Sequence, residues 1–138
     1  MLLKVKTPLQ RITWGLRFRC RFTQIHSLTA AKKRIEDGCN VAAICGATLG
    51  LAKEGALNQI KQTSNDKDFL KMICPTYFGE KLYQDKLALT EKNLITASGI
   101  APIEFSFEVL KLLNVFREKT LESWYNLYTK KEKNIFMN

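Results

Sequence analysis

The chain has 138 residues, 46% hydrophobic and 25% charged, with a formal net charge of +9. That length suits one domain with a real core, and the makeup is ordinary for a soluble protein. Four cysteines without a CxxC spacing and a single histidine exclude the usual zinc patterns, and no apolar run reaches the length of a membrane span.

The positive charge is uneven. Residues 1–26 hold Lys4, Lys6, Arg11, Arg17, Arg19 and Arg21 with no acid, so this segment carries six of the nine net charges. From Ile12 to Phe22 the pattern alternates, with Ile12, Trp14, Leu16, Phe18, Cys20 and Phe22 opposed to Thr13, Gly15, Arg17, Arg19 and Arg21. A period of two reads as a strand with a cationic, solvated face, where charge guards an edge against aggregation. Arginines interleaved with aromatics also suit nucleic acid, and an acid-free basic N-terminus also suits an organelle-targeting presequence. The segment lacks the central apolar block of a secretory signal.

Ser27 to Asp37 reads as a helix, with Ser27 as N-cap and Gly38 as the stop. Val41, Ala42, Ala43 and Ile44 follow as an uninterrupted apolar run, the mark of a strand buried on both faces. Cys45 stands where that strand ends, and Gly46, Ala47 and Thr48 open a helical pattern through Leu49, Leu51, Ala52 and Leu57. A thiol there lies at a helix N-terminus, where free amides and the helix dipole favour a thiolate. Strand, nucleophile on a tight turn and following helix form the elbow of many α/β hydrolytic sites. Cys39 and Cys45 are not expected to pair, because six extended residues span about 20 Å. Cys20, Cys39 and Cys74 read as packing residues, and the cysteine usage suits a reducing, cytoplasmic setting.

After the elbow helix, Gly55 and Asn58 mark a turn, and Gln59 to Ser64 reads as a short strand. Asn65 or Asp66 is placed to cap a helix from Lys67 to Ile73, ended by Cys74-Pro75. Lys81 to Leu89 includes an alternating stretch that reads as a strand, and a turn at Thr90 to Asn93 leads into a buried strand at Leu94 to Ala97. Pro102 suits the first turn of a helix whose broad apolar face is Ile103, Phe105, Phe107, Val109, Leu110, Leu112 and Leu113. A last helix, about Thr120 to Thr129, sets Leu121, Trp124, Tyr125 and Tyr128 at helical spacing, as core or dimer contacts. Glu54, Glu104 and Glu108 fall on helices and read as solvated or salt-bridged. The alternation of strands and helices predicts an α/β sheet with helices on its faces.

VAAICGATLGLAKEGALN, TSNDKDFLK and LITASGIAPIEFSFEVLK resemble corresponding segments of the PfpI/DJ-one family, within the class I glutamine amidotransferase-like superfamily. The resemblance runs from about His26 or Ala30 onward. It implies a flavodoxin-like three-layer α/β/α sandwich with a mostly parallel sheet, often dimeric, divided here into a basic segment 1–26 and an α/β domain 27–138. Cys45 matches the family's reactive cysteine, and Gly46 the residue whose amide helps form the oxyanion hole. Ser98, Gly99 and Pro102 match a loop with a structural role.

The family also brings a first strand with a glutamate near the thiol and a glycine-rich loop, neither of which residues 1–26 contain, so a truncated, frame-shifted or remodelled N-terminus is expected. Where close relatives read KHTSND this chain has Gln62 in the histidine's place, which leaves His26 alone, matched to a structural position. The resemblance therefore implies stress-associated cysteine hydrolase, amidase or glyoxalase-like chemistry on a small molecule or peptide, in a chain short of its Glu and His partners. A redox-sensing or structural module is the alternative from another class, and nucleic-acid association through the arginine segment a third. No metal, cofactor or membrane partner is expected.

Overall fold

The computed structural model describes residues 2–5 and 28–131. The arginine-rich alternating segment, Cys20, His26 and the Ser27 cap lie outside the described residues. The order of elements is β1 (Leu2–Val5), α1 (Leu28–Glu36), β2 (Asn40–Ile44), α2 (Gly46–Lys53), α3 (Lys67–Ile73), β3 (Ala88–Glu91), β4 (Leu94–Ala97), α4 (Pro102–Leu113) and α5 (Glu118–Lys130).

The four strands form one sheet in the order β1-β2-β4-β3. β2 and β4 pair in parallel at its centre, with Val41 opposite Leu94 and Ile44 opposite Ala97. β1 and β3 run antiparallel to them on either side. The basic N-terminal segment thus supplies a sheet strand at Leu2–Val5, a position without any alternation long enough to signal it.

The apolar runs of the two central strands explain their place. Successive side chains on a strand point to opposite faces, and both faces are covered. Val41, Ala43 and Leu94 pack on one side with Ala31 of α1, Leu51 and Ala52 of α2 and Leu70 of α3. Ala42, Ile95 and Ala97 pack on the other with Phe105, Val109 and Leu112 of α4. α5 packs on α4, where Phe107 and Tyr125 meet with ring centroids 4.8 Å apart. The result is the expected helix, sheet and helix layering of a flavodoxin-like α/β fold. Among the described residues no helix is long and apolar enough to cross a membrane.

Helix ends follow their sequence signals. Gly38, at φ 74°, takes the positive backbone angle that follows α1. Asp66 caps α3 by accepting a hydrogen bond from the Phe69 N–H at 2.7 Å. Pro102 opens α4, and Asn114 closes it in the left-handed conformation. Two expected strands are corrected. Gln59 to Ser64 forms only an isolated bridge, Gln62 to Tyr83. Gln62, Thr63 and Ser64 are instead buried and bonded to other elements: the Thr63 N–H donates to Thr96 Oγ1 at 2.9 Å, and Thr63 Oγ1 donates to the Lys86 carbonyl at 2.6 Å. Lys81 to Leu89 becomes a short 3-10 turn at Glu80–Leu82 and an exposed connector, with regular pairing starting only at Ala88.

Candidate functional site

The site is assembled where the parallel strands β2 and β4 end together. Hydrogen bonding from the Cys45 N–H to the Ala97 carbonyl, at 3.1 Å, extends the β2–β4 ladder by one residue. The chain then turns sharply, with Cys45 at φ 56° and ψ −123°. A non-glycine residue in such a region costs about 1–3 kcal/mol and persists only where its surroundings enforce it. Here the Cys45 carbonyl accepts from both the N–H and the hydroxyl of Thr48, at 3.0 and 2.6 Å. Thr48 Oγ1 in turn lies 2.6 Å from Ser64 Oγ in a fully buried contact. The strained turn is therefore tied at its amide and its carbonyl, and the side chain is left exposed.

Cys45 occupies the N-cap position of α2 without a side-chain capping bond. Gly46 is the first residue of that helix, so its N–H has no intrahelical acceptor and points out of the helix end. A Cβ built on Gly46 would meet nothing within 4 Å, so the space beside that amide is open. Both residues expected at the site are thus adjacent, exposed and at a helix N-terminus. That setting favours negative charge on sulfur or on an oxygen bonded to the amide.

Two further groups meet the thiol. Asn65, held in the loop that carries Thr63 and Ser64, brings Nδ2 to 3.5 Å from Cys45 Sγ. Its Oδ1 accepts from the Gly99 N–H at 2.6 Å and from Ser98 Oγ at 3.3 Å. Gly99 follows β4 and approaches so closely that a Cβ there would lie 2.8 Å from Cys45 Sγ. Ser98 and Gly99, expected as structural loop residues, therefore border the sulfur, while Pro102 starts α4. Asn65 falls in the TSND stretch that carries the family resemblance and reads there as a cap, but nothing local ties it to Cys45, 20 positions away, which only the fold brings near.

The remaining candidates are engaged elsewhere. Glu54 follows α2 and accepts from Thr29 Oγ1 at 3.2 Å. Glu108 accepts from Thr90 Oγ1 and Glu104 is bonded to Tyr125. The Tyr125 hydroxyl is pushed above its ordinary range, first by burial and then by the charge of Glu104. Gln62 is fully buried and donates through Nε2 to Tyr77 Oη at 3.0 Å and to the Gly79 carbonyl at 2.9 Å, so it ties a loop rather than facing the thiol. Cys74 is the opposite of Cys45: it is completely buried, and burial pushes its thiol up, with Lys53 partly opposing. Among the described residues no histidine or carboxylate is bonded to Cys45, and no cluster of His, Cys, Asp and Glu is arranged to hold a metal ion. A cleft between β3 and α4, lined by Lys86, Ala88, Thr90, Glu108 and Lys111 among others, does not include the thiol.

An α/β/α fold with a strained, exposed cysteine at the turn from a central strand into a helix defines the class. The sequence pattern of the DJ-1/PfpI family matches residues 21–112, and the chain belongs to that family. It is 60% identical over 90 residues to the uncharacterized protease YoaZ of Bacillus subtilis (strain 168), covering 65% of this chain and 43% of that protein. It is 37% identical over 94 residues to the uncharacterized protease YdeA of the same organism, covering 68% of this chain and 45% of that one. Among solved structures, a thiJ/pfpI family protein from Bacillus anthracis matches with a TM-score of 0.78 at 47% identity, over 80% of this chain and 52% of that chain. The DJ-1 superfamily protein Atu0886 from Agrobacterium tumefaciens matches with a TM-score of 0.67 at 31% identity, over 78% and 57%. The chain spans about half the length of the relatives it matches.

Proposed function

We propose that the chain carries a cysteine-dependent acyl-transfer site of the hydrolase or amidase type, with Cys45 as nucleophile and the Gly46 N–H as oxyanion donor. The observation that carries this reading is the strained, exposed Cys45 at the start of α2. The protease names of its relatives YoaZ and YdeA support the same class. In the first step the thiolate attacks a carbonyl carbon, an S–C bond forms, and the carbonyl electron pair moves to oxygen beside the Gly46 amide. Collapse of that adduct restores the carbonyl, breaks the bond to the leaving group and leaves a thioester, which water then hydrolyses.

The described residues set a limit on the leaving group. An amide nitrogen must be protonated as it departs, and no acid is bonded within this site; an ester oxygen with a stable anion departs without one. Small activated esters and thioesters are therefore the substrates on which Cys45 and Gly46 can act without a further proton donor. The α/β unit carrying this chemistry is residues 27–138 with β1 joined to its sheet, acting in the cytoplasm and as a homodimer. Glyoxalase-like chemistry draws on the same thiolate but also requires proton transfer at carbon, for which the described residues offer no base.

Mixing the protein with p-nitrophenyl acetate tests the reading. One acetyl group on Cys45, located by peptide mass mapping, with a matching burst of nitrophenolate, is the expected result. Acetylation confined to lysines contradicts it. The absence of a bonded base favours a second reading, a redox-sensing thiol, for which peroxide would produce a sulfenic acid at Cys45 without ester turnover.

A further inference from the structure

We propose that Asn65 is a positioning residue that holds a neutral hydrogen-bond donor against the Cys45 sulfur and so raises the thiolate population; the inference rests on Cys45 being the reactive thiol. The orientation of the Asn65 amide is dictated by its neighbours. The Gly99 backbone N–H can only donate, and it lies 2.6 Å from one terminal atom of the side chain, which must therefore be the oxygen. The Ser98 hydroxyl donates to the same oxygen at 3.3 Å. With the oxygen fixed by the strand-end loop after β4, the NH2 group faces the sulfur, where it lies 3.5 Å from Sγ.

The backbone carrying Asn65 is fixed as well. Thr63 is bonded to β4 through Thr96, Ser64 to α2 through Thr48, and Asp66 caps α3. Asn65 is thus suspended between three anchored points and spans the gap between the ends of β2 and β4.

The electrical consequence depends on what else faces the sulfur. Among the described residues no charged side chain is bonded to Cys45. The adjacent carboxylate of Asp66 is turned to the Phe69 N–H, and Glu54, beyond the far end of α2, bonds to Thr29. The donor and the helix terminus are the groups on this sulfur that favour its anion. A hydrogen bond to an anion is stronger than one to the neutral thiol, so it shifts the population toward thiolate. The same bond draws electron density from sulfur, and a stabilised thiolate is intrinsically a weaker nucleophile, with about half of the stabilisation returning as lost reactivity. The two effects separate with pH. At neutral pH the larger thiolate fraction dominates and the donor accelerates attack. At alkaline pH, where every such thiol is ionised, the donor confers no advantage.

The test compares Asn65→Asp and Asn65→Leu with the wild type in iodoacetamide labelling of Cys45 across pH. In that reaction the S–C bond forms, iodide departs, and the thiol proton has already passed to buffer. Asn65→Leu removes the donor without adding charge and so reports the lost hydrogen bond; Asn65→Asp keeps the oxygen that accepts from Gly99 and Ser98 but sets a carboxylate against the sulfur, whose repulsion is expected to slow neutral-pH labelling further. Labelling of Asn65→Leu is expected to be about three- to fourfold slower at neutral pH, because a roughly tenfold thiolate gain at the lower end of a charge-assisted bond is about half returned as lost reactivity, and to pass the wild type at alkaline pH. Wild-type rates at neutral pH, or equal slowing at every pH, overturn the proposal. If Asn65→Leu does not fold, Asn65→Ala, which also adds no charge, takes its place. A wild-type Cys45 that does not label overturns both this inference and the function proposed above; a reactive Cys45 with coincident profiles overturns this inference only.

Discussion

Replacing Gly99 with alanine places a methyl group against the proposed nucleophile. The added carbon would lie 2.8 Å from Cys45 Sγ, 3.0 Å from Cys45 Cβ and 3.3 Å from Asn65 Oδ1. Ordinary non-bonded separation is about 3.5–4.0 Å, so the sulfur must retreat by roughly 1 Å or the loop after β4 must lift. The thiol can rotate outward, but Cys45 Cβ is fixed by a backbone tied at both ends, so a stability loss of about 1–3 kcal/mol is expected. Reactivity falls as well, because a displacement of about 1 Å at a reacting atom costs up to about a hundredfold. The assay is the rate of Cys45 alkylation and of p-nitrophenyl acetate burst, read beside a urea unfolding curve. A Gly99→Ala protein that still unfolds cooperatively at a somewhat lower midpoint and loses most of both rates fits the account. Wild-type rates would refute the reasoning that this close approach sets the sulfur's position.

Asp66→Ala removes the cap of α3 and is expected to cost about 1 kcal/mol in urea unfolding, since the Phe69 N–H loses its acceptor. Stability should also fall on the alkaline side. Burial raises the Cys74 thiol, and burial likewise raises Tyr77, with the Gln62 hydrogen bond opposing. Above the ordinary thiol range the unfolded chain releases the proton that the folded chain still holds, so the unfolded state gains as pH rises. The urea midpoint is therefore expected to stay level near neutral pH and then decline, and Cys74→Ala should flatten the first part of that decline; an unchanged slope would contradict the assignment.

The central architecture was legible because its signals are local. Val41 to Ile44 is apolar without interruption, and Gly46, Ala47 and Thr48 are small enough to begin a helix on a tight turn, so strand, cysteine and helix could be placed from ten residues. Asp66 and Pro102 marked helix starts by their own chemistry. The rest depended on distant partners. Gln59 to Ser64 has strand-like residues, but Thr63 and Ser64 spend their polar groups on Thr96, Lys86 and Thr48, which fixes an irregular connector. Leu2–Val5 pairs with β2 from a distance of nearly forty positions. Asn65 reads locally as a turn residue, and its contact with Cys45 exists only because β2 and β4 end side by side.

The central claim concerns one sulfur, and mass-resolved alkylation of the native protein tests it most directly. Substoichiometric iodoacetamide at neutral pH, followed by peptide mapping, should modify Cys45 well ahead of Cys39 and of the sealed Cys74. A Cys45 that stays unmodified until the protein is unfolded would contradict the account.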